Sequence, residues 1–203
     1  MLESIIDTIN SLGYLGIALL MALENIIPPI PSELIMPLAG FTVTQGDMNF
    51  ILVIISGTIG SVLGATPWYL LGKYWGLKRT KYIADSYGKW LTISGEDVVK
   101  AKIWFDRRGY IATAIGRLVP GIRTYISLPA GISKMPLFPF LIYSAIGTIF
   151  WVSLLTGAGY TFGANYEQVG IYLKPISTVI LIMIFSAAIY WLIKRRVKDR
   201  VRD

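Results

Sequence analysis

Residues 13–40 read GYLGIALLMALENIIPPIPSELIMPLAG, and residues 109–131 read GYIATAIGRLVPGIRTYISLPAG. Each opens on Gly-Tyr and closes on Ala-Gly, and each interrupts an apolar run with prolines and charged residues near its middle. A proline cannot donate a backbone hydrogen bond and ends a helix running into it. Each stretch therefore reads as two short apolar helical arms joined by a break.

The rest of the chain supplies the solvent for those arms. With 54% hydrophobic residues, 15% charged residues and a mean hydropathy of +0.59, the 203-residue chain lies far from soluble composition and reads as an integral membrane protein. A span needs about 20 apolar residues, so only a few fit and little remains for a soluble domain. The reading is one all-α membrane domain over residues 1–203.

Punctuation divides it. Residues 1–12 place Leu2, Ile5, Ile6 and Ile9 at helical spacing with no basic leader, which suggests a short interfacial helix or a lead-in to the first buried segment. Residues 13–42 form the first interrupted block and 50–72 a continuous span. Residues 73–108 are a polar connector, in which Ser94 to Asp97 resembles a capping box. The helix it opens sets Val98, Ala101, Trp104 and Phe105 to one side, with Lys100 and Arg107 on the other. Residues 109–133 are the second interrupted block, 137–162 and 176–193 are further spans, and 194–203 are a basic tail.

Charge orients these segments. Nine Lys/Arg lie in 73–108 and six in the tail, whereas 41–49 and the residues before Gly13 carry none. The positive-inside rule puts connector and tail in the cytoplasm of a multi-pass protein of the cell membrane. The net charge of +7 is then topology plus attraction to anionic head groups, not a nucleic-acid surface. With the three spans so oriented, block 109–133 must enter and leave from the cytoplasmic side and block 13–42 from the outer side. Both become re-entrant hairpins. Hairpin plus span, twice and in opposite orientation, is an inverted repeat, with the C-terminal helix as an addition.

The absence of cysteine and histidine removes thiolate and imidazole chemistry, so no enzyme, metal site or cofactor is expected. What remains is charge at membrane depth. A charged residue there costs about 2.5–3.5 kcal/mol on insertion scales, so Glu24, Glu33, Arg117 and Arg123 must face each other, water or a ligand. The arginines are permanent cations suited to forked phosphate contact. The carboxylates, in a low-dielectric cleft, are candidates for a proton-binding step. Hairpins meeting tip to tip would set acids against bases. Pro28, Pro29, Pro31, Pro120 and Gly121 form the breaks, and Ser32 is placed to cap the half-helix beginning at Glu33, leaving an anion seat. Structural ion pairing is the competing reading of the four charges. Gly57, Gly60, Gly64, Gly72, Gly76, Gly147, Gly159 and Gly163 read as close helix packing, and Trp68, Trp75, Trp151 and Trp191 as interface anchors.

The segments LENIIPPIPSE, GSVLGATPWYLLGKYWG and GRLVPGIRTYISLPAGISKM, followed by IGTIFW, resemble the DedA family, also called the VTT or SNARE-associated-like family. The resemblance runs from about Gly13 to Gly163. It implies a membrane lipid transporter: bacterial members are proposed to return undecaprenyl phosphate or to translocate phosphatidylethanolamine, in some cases with the proton motive force, and eukaryotic relatives are lipid scramblases. The family's acidic residues map onto Glu24 and Glu33 and its paired arginines onto Arg117 and Arg123. Many members carry an acid after the glycine matching Gly64, where this chain has Ala65. Any coupling here would then rest on the two glutamates.

The expected function is a flippase for a phosphate-bearing lipid, anionic or zwitterionic, with protons and the bilayer as partners, no nucleic acid, and a homo-oligomer left open. A non-transporting scaffold for envelope homeostasis is the alternative.

Overall fold

The apolar runs become helices, two of them with an internal proline, Pro37 and Pro67, and local caps fix where some of them start. A computed structural model describes residues 2–26, 32–91, 94–119 and 122–163, all within one compact unit, Met1–Ala164. In order the helices are α1 (Leu2–Ile26), α2 (Ser32–Thr44), α3 (Phe50–Leu91), α4 (Gly95–Gly116), α5 (Ile122–Tyr125), α6 (Ser127–Ile132) and α7 (Leu137–Gly163). No strand occurs among the described residues. Asn49 starts α3: its Oδ1 accepts from the backbone N–H of Ile51 (2.9 Å) and Leu52 (3.3 Å), satisfying two donors the first helical turn leaves open. The Asp85 carboxylate does the same for Gly95 at the start of α4 (2.7 Å).

Among the described residues three helices are long and apolar enough to cross a membrane: Glu3–Ile26, Phe50–Ser86 and Leu137–Thr161. Breaks subdivide them. Gly13 in α1 (φ 56°) and Gly76 in α3 (φ 60°) adopt backbone that a side chain disfavours, and Arg108 interrupts α4 (φ −137°). At 1.5 Å per residue the α1 arm after Gly13 is about 20 Å long, α2 about 20 Å, and the α4 arm after Arg108 about 12 Å. By contrast α3 up to Gly76 and α7 each reach about 40 Å. Leu15, Leu19 and Leu23 on α1, Ile51, Ile55, Ile59 and Leu63 on α3, and Ile146, Phe150 and Leu154 on α7 stay exposed. Stripes that large suit a hydrocarbon surround.

The helices touch in a pattern that occurs twice. α1 packs on α3 and α4 on α7, while α2 packs on α7 and α6 on α3. A Cβ at Gly60 would strike the Ala18 carbonyl, and one at Gly147 the Ala114 carbonyl. Gly159 lies on the Pro37 carbonyl and Gly72 on that of Leu128; Gly40 meets Thr156, and Gly131 meets Tyr69. Within each type of element these partners are separated by one constant shift. Side-chain packing keeps the same register. Ile9, Ile35, Ala39, Val53 and Val152 belong to one buried cluster, and Phe105, Ile126, Ala130, Phe140 and Ala65 stand at the matching places in the other. Tyr69 anchors the second cluster, stacked on Phe140 at 4.4 Å and donating its hydroxyl to the Met135 carbonyl (2.5 Å).

Several expectations change. Gly76 is not a packing residue: a Cβ there would meet nothing within 4 Å, and the glycine serves the turn in the backbone instead. The first part of the polar connector is helical, because α3 continues past the break at Gly76 to Leu91. Trp104 and Phe105 part company, the first half-exposed and the second buried in the second cluster, since neighbours on a helix point about 100° apart. Trp68 and Trp151 donate their indole N–H groups within the protein, to the Asn25 carbonyl and Ser32 Oγ. Pro28, Pro29, Pro31, Pro120, Gly121, Trp191, the 176–193 span and the 194–203 tail lie outside the described residues.

Candidate functional site

The α1 arm ends on Glu24, Asn25 and Ile26 just before the first proline segment. On the other side, α4 ends at Gly116 and hands over to a turn containing Arg117, with Arg123 following in α5. These two ends meet. Arg123 and Glu24 form an ion pair with both side chains almost fully buried. Charge therefore finds opposite charge away from solvent, the condition that makes burial tolerable.

Arg117 is different. It is 1% exposed and makes no ion pair with any described carboxylate. Its guanidinium donates to Asn25 Oδ1 (3.3 Å), Ser127 Oγ (3.1 Å) and Ser144 Oγ (3.5 Å), all neutral acceptors. Its Nε is buried with no partner, and so is Glu24 Oε2. A cation without a counter-ion, inside a protein and at the end of an apolar helix, is the costliest element of the site and the one most in need of a ligand.

Arg117 and its polar partners come from four places in the chain. Asn25 belongs to α1, Ser127 to α6 and Ser144 to α7, and Arg117 follows α4. Asn25 reaches α3 as well, donating from Nδ2 to Ser61 Oγ (2.9 Å) and to the Met21 carbonyl (3.0 Å), while its own carbonyl accepts from Trp68 Nε1 (2.8 Å). The contact register of the two halves places Arg117 where the first half has Met21, Ser127 where it has Met36, and Ser144 where it has Gly57. In the first half Gly57 lies against the Met36 sulfur. A sulfur-filled apolar contact in one half is thus a polar cage in the other.

Of the four charged residues singled out from sequence, the structure brings Glu24 and Arg123 together and sets Arg117 among neutral groups. Glu33 is half-buried in the first turn of α2 and makes no ion pair among the described residues. Ser32 is fully buried and starts α2, and its Oγ accepts from Trp151 Nε1 at 3.4 Å. Ala65 is fully buried in the second apolar cluster, so no carboxylate enters the site from that position. Sequence reasoning missed Asn25, Ser61, Ser127 and Ser144. The one available signal was an amide beside Glu24 at the end of an apolar arm.

The VTT domain model matches residues 30–161. The chain belongs to the VTT-domain, or DedA, family. Among DedA-family proteins it is 31% identical over 200 residues to undecaprenyl phosphate transporter A of Bacillus subtilis, covering 97% of this chain and 96% of that protein. The protein of the same name in Staphylococcus aureus is 30% identical over 192 residues, covering 95% of each. A Lactococcus lactis protein named alkaline phosphatase-like is 41% identical over 200 residues, covering 97% of this chain and 94% of the other. No solved structure matches the chain. With its apolar helices and these membrane relatives, this DedA-family chain is a multi-pass membrane protein.

Proposed function

We propose that the protein moves a phosphate-bearing lipid between leaflets, with undecaprenyl phosphate the first candidate and a phospholipid such as phosphatidylethanolamine the second. The observation that carries this reading is Arg117, a buried guanidinium held by an amide and two hydroxyls and ion-paired with no carboxylate among the described residues. Such a group binds phosphate oxygens through charge-assisted bonds in a medium that strengthens them. Undecaprenyl phosphate transporters among the relatives support that substrate class. The phosphatase-like name of the Lactococcus protein does not redirect this reading, because the sequence has no histidine or cysteine to act as nucleophile or metal ligand.

The lipid path follows from the breaks. The short arms 14–26 and α2, and 109–116 with α5 and α6, each fall short of the roughly 30 Å hydrocarbon thickness. They act as two re-entrant hairpins, one from each face, and α3 and α7 as full spans. The doubled contact pattern supports an inverted repeat. The two halves exchange their second arms, α2 onto α7 and α6 onto α3, so rocking one half against the other would open the site to either side. Lipid phosphate enters beside Arg117 while its tail stays in the bilayer, and the basic connector and tail face the cytoplasm.

Charge accounting gives the coupling. Arg117, Arg123 and Glu24 together carry one positive charge. A phosphate monoester carries about −1.5 to −2 near neutral pH, so seating it overfills the site with negative charge. One proton restores the balance, and Glu24 Oε2, buried and unpartnered, is where it goes. Protonation also frees Arg123 from its pair, giving the phosphate a second guanidinium. Glu33, half-buried in the first turn of α2, is the second candidate for a proton-binding step.

The test is leaflet transfer in liposomes of phosphatidylcholine and phosphatidylglycerol containing the purified protein and a panel of fluorescent lipids: polyprenyl phosphate, phosphatidylethanolamine and phosphatidylcholine. An imposed proton gradient should accelerate transfer of the polyprenyl phosphate. Equal rates with and without the gradient would remove the coupling, and equal rates across the panel, all of whose members carry phosphate, would remove the preference for a phosphate monoester.

A further inference from the structure

Two arginines lie near the same end of α1, yet that helix offers them different acceptors. Arg123 receives a carboxylate from Glu24, and Arg117 receives an amide from the next residue, Asn25. Asparagine and aspartate have nearly the same shape. An aspartate at this position would give Arg117 the same contact and cancel its charge.

The amide cannot turn around to serve otherwise. Its Nδ2 is committed to the Met21 carbonyl at 3.0 Å and to Ser61 Oγ at 2.9 Å, so Oδ1 must face the guanidinium. The residue's own carbonyl is held by Trp68 Nε1 at 2.8 Å, which ties it a second time to α3. Asn25 is 1% exposed, so its amide is withdrawn from bulk solvent. Among its hydrogen-bond partners, Met21, Ser61, Trp68 and Arg117, only Arg117 is charged; Glu24 and Arg123 form the neighbouring pair.

We infer that Asn25 is a positioning residue that holds Arg117 in place for an anionic phosphate without neutralising it. This rests on the lipid-phosphate reading given above and adds a residue to it. Asn25 fixes the direction of the guanidinium through α1 and α3, and its neutrality keeps the net charge of the site at one positive. Ser127 and Ser144 complete the cage from α6 and α7, equally without charge.

The experiment measures equilibrium binding of radiolabelled farnesyl phosphate, a short polyprenyl monophosphate, to the full-length protein in phosphatidylcholine nanodiscs. Asn25→Asp should weaken binding about 10- to 150-fold, the equivalent of one hydrogen bond to a charged group. The double variant Asn25→Asp, Glu24→Gln restores the site's net charge and should recover most of that loss. A merely structural asparagine predicts the opposite, with the double variant no better than the single. Should Asn25→Asp fail to fold, Ser127→Asp brings a carboxylate to Arg117 from α6 with the Asn25 contacts intact and should show the same loss. Unchanged affinity in Asn25→Asp, or in Ser127→Asp where that variant stands in, overturns the role of Asn25 alone, as does a folded double variant without recovery. Failure of the wild-type protein to bind farnesyl phosphate overturns the phosphate reading itself.

Discussion

Replacing Glu24 by Gln removes one charge from a buried pair while keeping its shape. Removing one partner of such a pair costs about 3–5 kcal/mol, because the other charge stays buried and unpaired. Gln can still accept one bond from Arg123, which points to the lower end, about 3 kcal/mol. At about 2–4 °C per kcal/mol for a chain of this size, the apparent melting temperature in detergent should fall by about 6–12 °C. An anionic ligand should reverse the loss, because the variant site carries two uncompensated arginines. Farnesyl phosphate at about 100 times its dissociation constant stabilises by about 2.7 kcal/mol, nearly the whole deficit. In transport, the variant mimics the protonated site permanently, so movement of lipid phosphate should no longer respond to an imposed proton gradient. A Glu24→Gln protein that melts like wild type and keeps its gradient response would refute the reasoning.

Two further outcomes follow from the same geometry. Arg117→Lys keeps the charge but not the fork that reaches Asn25, Ser127 and Ser144 together, and should slow lipid-phosphate transfer about 10- to 100-fold at unchanged expression; a scaffold protein would tolerate it. Gly131→Ala drives a methyl group into the Tyr69 carbonyl and the backbone of Lys73, a clash of about 1–3 kcal/mol or more that should lower folded yield by size-exclusion chromatography, whereas Gly157→Ala, with open space around it, should be neutral.

Much of this was legible from residue order because a bilayer leaves few choices. Apolar runs had to be helices, and charges within them had to find partners, which is why Glu24 and Arg123 could be expected to meet. The asymmetry between the arginines was not legible. Glu24 and Arg117 each stand about halfway along their stretches, but by the contact register Arg117 corresponds to Met21 and not to Glu24, so the charges are not counterparts. Only the packing of four elements shows that Arg117 meets hydroxyls and an amide. A lone Asn, or a Ser within an apolar helix, carries no periodic signal, and its role is decided by neighbours distant in sequence. The internal acceptors of Trp68 and Trp151 were hidden for a related reason, since they lie on residues distant in sequence. Gly76 misled because spacing cannot separate a glycine kept small for packing from one kept for its backbone.

The central claim is that the phosphate, not the lipid tail, is what the site recognises. Its most direct test compares leaflet transfer of a fluorescent polyprenyl phosphate with that of the corresponding polyprenyl alcohol in the same proteoliposomes. The account predicts that the protein accelerates the phosphate and leaves the alcohol at its protein-free rate. Equal acceleration of both would contradict it.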